Sequence, residues 1–252
     1  MTPDLLAREA LRFGRLKLFG KSAAHYHGAT EDPTYDMERG SAVHGILFGN
    51  VEVLGWEDGR PRRGKDFDAF AADHPGALIL TGKEYAEARA MADAVTKNRL
   101  AMKLLDGEHE QTMLWQRGER WCRGTPDVRN DAERFHTELK TGETADPRKF
   151  QWKLRDFCYH GQLAWYDDGA VRAGKPQPRD HYIVAVEGAA PYVSTVFRVR
   201  DDAIETGRRL IMLWLEQLAA CEAADAWPPY CESVVELALV DDSGLIFEEA
   251  AA

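Results

Sequence analysis

Asp127, Glu138 and Lys140 are the residues of this chain best spaced for chemistry. They fall in the stretch Trp121 to Gly142, WCRGTPDVRNDAERFHTELKTG, which reads as two antiparallel strands. Cys122 to Arg129 is expected as the first strand, Asn130 to Glu133 as the turn and Phe135 to Thr141 as the second. Side chains alternate faces along a strand, so Glu138 and Lys140 point the same way and Leu139 points into the core. A turn of this length can bring Asp127 beside Glu138. Two carboxylates held together repel unless a cation lies between them. Oxygen ligands of this kind suit Mg2+ or Mn2+. A lysine next to them could polarise a water or offset the charge that builds on a phosphate.

The spacing alone is not decisive. An aspartate separated by ten residues from Glu-x-Lys also fits a charged hairpin with a solvated face, and these residues by themselves favour that plainer reading. The elements around them carry further candidates. RGSAVHGILFG, 39–49, reads as a short buried helix containing Gly40 and His44. His44 is either a core histidine or a group aimed at a metal by close packing at Gly40. The loop GRPRRGK, 59–65, is the strongest basic run, with Arg60, Arg62, Arg63 and Lys65. It could grip a phosphate backbone, although charge alone fits a solvated loop better. Glu110 leads into a strand at Gln111 to Gln116 and could add an acidic group.

A long helix is expected from Pro147 to Asp168. On it Arg155, Tyr159, Gln162 and Tyr166 fall at helical spacing on one polar-aromatic stripe, beside an apolar stripe of Leu154, Cys158, Gly161 and Trp165. Lys149 and Lys153 sit on its first turns. Helices are also expected at 3–18, 66–73, 83–105 and 201–224, and strands at 50–54, 77–81, 181–186 and 192–199. The segment 21–36, with His25 and His27, reads as a polar loop, and VVELAL near the end as one further strand.

The chain has 252 residues, enough for one elaborated domain with a sizeable core. Its net charge of −10 argues against a coat of positive charge but leaves room for a local basic surface. No stretch approaches the ~20 apolar residues of a membrane span, and the start MTPDLLAREALRFG lacks a signal-peptide core, so a cytoplasmic protein is expected. Cys122, Cys158, Cys221 and Cys231 are dispersed and read as reduced thiols, not as a cluster-binding set.

Taken in order, the motifs resemble those of the exonuclease VIII family, the phage-type 5′-to-3′ double-strand DNA exonucleases of the RecB-like PD-(D/E)xK branch. LKLFGKSAAHY is similar to the opening motif and GSAVHGILFG to the histidine helix. CRGTPDV, with Pro126 completing the "PD", and ELKTG match the metal and lysine motifs. FCYHGQLAWY matches the glutamine-tyrosine helix, and VEGAAPYVSTVF followed by WPPY resembles the closing segment. Several ordered motifs weigh far more than any one.

The resemblance implies an α/β fold with a central mixed sheet flanked by helices, one nuclease domain over 1–252 with its core at about 39–200. It implies Mg2+, with Mn2+ able to substitute, held by His44, Asp127, Glu138 and the Leu139 carbonyl. Lys140 would act on the water or the scissile phosphate, and Gln162 and Tyr166 would line the site. Arg62, Arg63, Lys149, Lys153, Arg155 and Tyr159 are the expected DNA contacts. Such proteins pair with a single-strand annealing protein and assemble as homo-oligomeric rings, here expected to be a tetramer. The alternatives are an endonuclease or repair nuclease of the same superfamily, and a DNA-binding or assembly module without turnover.

Overall fold

A computed structural model describes residues 9–30, 35–57 and 59–236. At its centre is a five-stranded mixed sheet, which owes its position to the segment HYIVAV. Apolar residues on both faces of a strand demand cover on both sides. Ile183 and Ala185 enter one hydrophobic cluster, and Val184 and Val186 enter another on the opposite face.

The described elements run in the following order. β1 (Leu11–Arg12), α1 (Phe13–Leu16), a 3-10 turn (Lys17–Gly20) and α2 (Ala23–Gly28) open the chain. α3 (Tyr35–Phe48), β2 (Val53–Trp56), α4 (Lys65–Asp73) and β3 (Leu78–Thr81) follow. Next come α5 (Gly82–Lys97), α6 (Arg99–Leu104), β4 (Glu108–His109), β5 (Met113–Arg117) and β6 (Arg120–Gly124). Then come β7 (Val128–Asn130), β8 (Phe135–Gly142), α7 (Pro147–Asp156) and α8 (Tyr159–Arg172). β9 (Asp180–Glu187), β10 (Ser194–Val199) and α9 (Asp201–Ala224) close it.

The main sheet has the order β10-β9-β8-β7-β4. β8 and β9 are parallel, from Phe135 opposite Asp180 to Gly142 opposite Glu187, and the other pairings are antiparallel. Parallel neighbours require a crossover, which α7 and α8 supply. On one face, α3 and α5 pack through Ala42, Val43, Ala88, Met91 and Val95 onto Val128, Leu139 and Val184. On the other, α8 and α9 pack with Phe13, Leu16 and Trp115. β1, β5 and β6 form a separate small sheet, and β2 and β3 form a parallel pair. No helix among the described residues is long and apolar enough to cross a membrane.

Several expected boundaries shift. The helix expected at 3–18 is not continuous within the described residues: Leu11 and Arg12 pair in parallel with Cys122 and Arg123 before α1 begins, and residues 1–8 lie outside the description. The loop at 21–36 contains α2, because Ser22 caps it by accepting from the His25 amide. The helix at 83–105 breaks at Asn98, whose backbone is extended and whose side chain accepts from the Ala101 amide to start α6. The first strand of the expected hairpin also divides. Arg120–Gly124 belongs to the small sheet, and only Val128–Asn130 pairs with β8, because Pro126 offers no N–H to a ladder.

The helix expected from Pro147 to Asp168 is two helices, since Cys158 takes a left-handed conformation at φ 55°. Arg155 and Tyr159 are therefore not successive members of one stripe. Residues 234–236 are not in a strand, and the remainder of VVELAL lies outside the described residues.

The two long C-terminal helices meet where side chains are absent. A Cβ on Gly207 of α9 would lie 2.5 Å from the His160 carbonyl oxygen and 2.9 Å from the Gly161 Cα of α8. Both obstacles are backbone, so the helices must move apart. Gly207→Ala is expected to cost about 1–3 kcal/mol of stability by overpacking, measured by urea unfolding.

Candidate active site

The β7-β8 register positions the acidic pair. Val128 faces Thr137, so the next antiparallel step sets Asp127 against Glu138. Backbone amides hold both carboxylates: the Leu139 amide donates to Asp127 Oδ2 at 2.7 Å, and the Asp127 amide donates to Glu138 Oε1 at 3.1 Å. Lys140 Nζ donates to Glu138 Oε2 at 2.6 Å. Leu139 turns to the core, as alternation requires, while its carbonyl oxygen lies 3.3 Å from His44 Nε2.

α3 brings His44 across from the other layer. Gly40, one turn earlier, has room for no more than a close approach, since a Cβ there would sit 3.3 Å from Thr141 Oγ1 of β8. His44 Nδ1 donates to Glu110 Oε1 at 3.0 Å and lies 3.7 Å from Asp127 Oδ1. Ligand atoms of His44, Glu110 and Asp127 all fall within 4.8 Å of one another.

Glu110 reaches the group through topology and backbone shape. β4 pairs with β7 so that Glu108 faces Arg129 and His109 faces Val128, which leaves Glu110 alongside Asp127. Its amide donates to the Asp127 carbonyl at 3.1 Å, and its own φ of 48° is left-handed. Non-glycine residues are uncommon there, and the conformation turns the side chain toward His44. Asn50 donates to the second Glu110 oxygen. A glutamate at the start of a short strand gave only the signal of its charge, and Asn50 gave none.

The electrostatics follow from crowding of charged groups in a largely buried site. Burial, then the Asp127 charge, pushes Glu138 up to about 7 against the opposing pull of Lys140. Burial acts to lower Lys140, but Glu138 and Asp127 outweigh it and hold the ammonium well above its usual range. For His44 burial again acts downward, and Asp127 and Glu110 overcome it, so the net shift is upward. Burial and the same two carboxylates, Glu138 and Asp127, raise the Tyr166 phenol. Gln162 donates to the Tyr166 hydroxyl at 2.8 Å.

One imidazole and two carboxylates, those of His44, Glu110 and Asp127, together with the Leu139 carbonyl beside His44 Nε2, form a donor set for a hard divalent cation. The fit is supported by the outer contacts as well, since Asn50, the Leu139 amide and Lys140 orient Glu110, Asp127 and Glu138. In this arrangement Glu138 is turned to Lys140, whereas Glu110 stands with His44 and Asp127.

The expected DNA contacts divide by position. Tyr159 and Lys153 line a groove together with Lys140, whose Nζ lies 5.3 Å from the Tyr159 ring centroid. Lys149 is exposed on α7. Arg155 points away, pairing with Asp156 at 2.9 Å and covering Trp152. Arg62 donates to the Ile79 carbonyl at 3.0 Å and lies 3.5 Å from Glu38, so a neighbouring carboxylate offsets its charge. Arg63 is exposed in the loop before α4.

Residues 14–237 match the family described as "PDDEXK-like domain of unknown function (DUF3799)". A comparison with curated proteins found no match. Among solved structures, one from Eubacterium rectale, described as a "putative exonuclease", aligns over 95% of this chain and 96% of its own at a TM-score of 0.66 and 12% identity. That likeness concerns the fold. A second, SSO0001, aligns over 86% of this chain and 87% of its own at 12% identity, but its TM-score of 0.31 carries no argument.

Metal binding at such a set must displace protons. Because Glu138 is pushed up to about 7, it carries a proton below neutrality that it loses above it, and His44 is shifted in the same direction by Asp127 and Glu110. Mn2+ affinity measured by calorimetry should therefore fall by about tenfold or more from pH 8 to pH 6, with proton release visible near pH 7 in buffers of different ionisation enthalpy.

Proposed function

The chain belongs to the DUF3799 family of PDDEXK-like domains, and on that premise we propose that it is a metal-dependent nuclease that hydrolyses DNA phosphodiesters. In this reading it degrades linear double-stranded DNA stepwise from its ends, 5′ to 3′, and leaves single strands for an annealing protein. The observation that carries it is the Lys140–Glu138 pair at 2.6 Å, held beside Asp127 by backbone hydrogen bonds and faced by His44. A module freed from chemistry has no need to bury Glu138 at 1% exposure beside a second carboxylate.

Mg2+, or Mn2+ in its place, would be held by His44, Asp127, Glu138 and the Leu139 carbonyl, with Glu110 added to that set. Such an ion supplies Lewis-acid polarisation of the phosphoryl group. The protein's own groups do the rest. Lys140, kept as an ammonium by Glu138 and Asp127, offsets negative charge building on the phosphate oxygens. Glu138 Oε2 accepts from Lys140 Nζ and so fixes the direction in which the ammonium points. Gln162 and the buried Tyr166 form a hydrogen-bonded pair on the inner side of the carboxylates, whose charges act on the phenol.

A chain of net charge −10 opposes approach to a polyanion. Enclosing the duplex in a homo-oligomeric ring, proposed here as a tetramer, would confine DNA to surfaces with local positive charge and retain the product between cuts. Light scattering measures the mass. A monomer that degrades long duplexes without dissociating would rule the ring out.

End-labelled linear and covalently closed circular duplexes, incubated with Mg2+ and with chelator, test the activity. Cleavage of linear DNA alone is expected. Equal cutting of closed circles would favour an endonuclease, and no cleavage of either would favour the non-catalytic module. Asp127→Ala and Glu138→Ala are each expected to reduce cleavage on the order of a hundredfold or more with folding retained by circular dichroism. Lys140→Ala should reduce turnover while Mn2+ affinity changes little.

A further inference from the structure

A groove of about 560 Å³ opens beside the cleft that His44 and Glu110 line, and the two share Lys140 and Thr141. Its wall is a run of flat rings. Phe150 stacks on Tyr159 with centroids 6.1 Å apart, and Tyr159 stacks on Phe157 at 5.6 Å with only 13° between their planes. Exposure rises along the run: Phe150 is buried, Tyr159 is partly buried and Phe157 is 49% exposed. The inner end adjoins the proposed chemistry, because Lys140 Nζ stands 5.3 Å from the Tyr159 centroid. At the outer end Lys153 Nζ lies 5.8 Å from the Phe157 centroid. Arg39 also lines the groove. The acidic group on the rim, Glu143, is 90% exposed and lies 3.6 Å from Lys153.

Phe157 owes its position to the helix break. It caps α7, and the left-handed Cys158 that follows reverses the chain into α8. A ring fixed by stacking on one side and half open to water on the other presents apolar area that a partner could cover. Nucleobases have complementary flat faces, and cations beside the rings suit the phosphates that accompany them. Inside a duplex the faces of each base are covered by its neighbours. Only an unpaired base, or the last pair at an end, exposes a face to stack upon.

We infer that Phe157 and Tyr159 form a stacking site for an unpaired nucleobase of the DNA strand that Lys140 contacts. The site makes an end with unpaired nucleotides a better substrate than a fully paired one, and it is indifferent to base identity because every base has such a face. The inference rests on the DNA-cleaving reading for its placement in a reaction, but stacking itself needs no turnover.

Trp152 supplies the control. It is 55% exposed on the same helix, yet it is covered by Arg155 with the guanidinium 4.8 Å from its centroid and does not line the groove. Binding of dye-labelled oligothymidine, followed by anisotropy in chelator, should weaken about tenfold in Phe157→Ala. It should be retained in Phe157→Tyr and unchanged in Trp152→Ala. In Mg2+, wild-type protein should cleave a tailed duplex faster than a blunt one, and Phe157→Ala should lose that difference. Unchanged oligothymidine binding in a folded Phe157→Ala protein would overturn the site, as would an equal loss in Trp152→Ala, which marks general surface adhesion. Phe157-dependent binding without any cleavage by the wild type would instead refute the nuclease reading and leave the stacking site standing.

Discussion

The burial of Glu138 beside Asp127 is the constraint around which the centre is arranged. A carboxylate at 1% exposure next to another is unfavourable unless compensated. Three compensations are present: the Asp127 amide, the Leu139 amide and the Lys140 ammonium. Each comes from the backbone or from a neighbour in β7 or β8, so the strand register and the charge balance are one problem. A one-residue slip would turn Glu138 and Lys140 to the opposite face and bury Leu139's position against polar groups.

Much of this was legible in the chain. Asp127, Glu138 and Lys140 were readable because a period of two fixes which side chains share a face, whereas the break in pairing at Pro126 lies inside what reads as one strand. HYIVAV and the helix at 201–224 followed from apolar patterning. The family and the fold that the motifs resembled agree with the PDDEXK-like match and with a central mixed sheet flanked by helices.

What escaped the sequence were departures from regular backbone. Cys158 at φ 55° divides a helical pattern that has no glycine or proline at the break itself. Asn98 ends one helix and caps the next, so the apolar period runs on across the break. Glu110 joins His44 because β4 pairs with β7, a contact between strands separated by two others in sequence, and no local pattern encodes that partnership. Arg62 stands beside Glu38 and donates through Nη1 to the Ile79 carbonyl, a setting that charge alone does not encode.

The donor groups are mounted on two different kinds of support. Glu138 and Leu139 belong to β8 and Asp127 directly precedes β7, and β8 is further locked by its full-length pairing with β9. His44 rides on α3, which meets the sheet through apolar side chains, Ala42 and Val43 among them. Central strands open only with the whole protein, whereas a helix attached by packing can lift in a smaller excursion. In hydrogen-exchange terms, β8 amides report the global free energy and α3 amides a lower one. The dwell time of an ion held by both would be governed by α3, so an apolar change at Ala42 or Val43 could hasten metal escape without touching a single ligand.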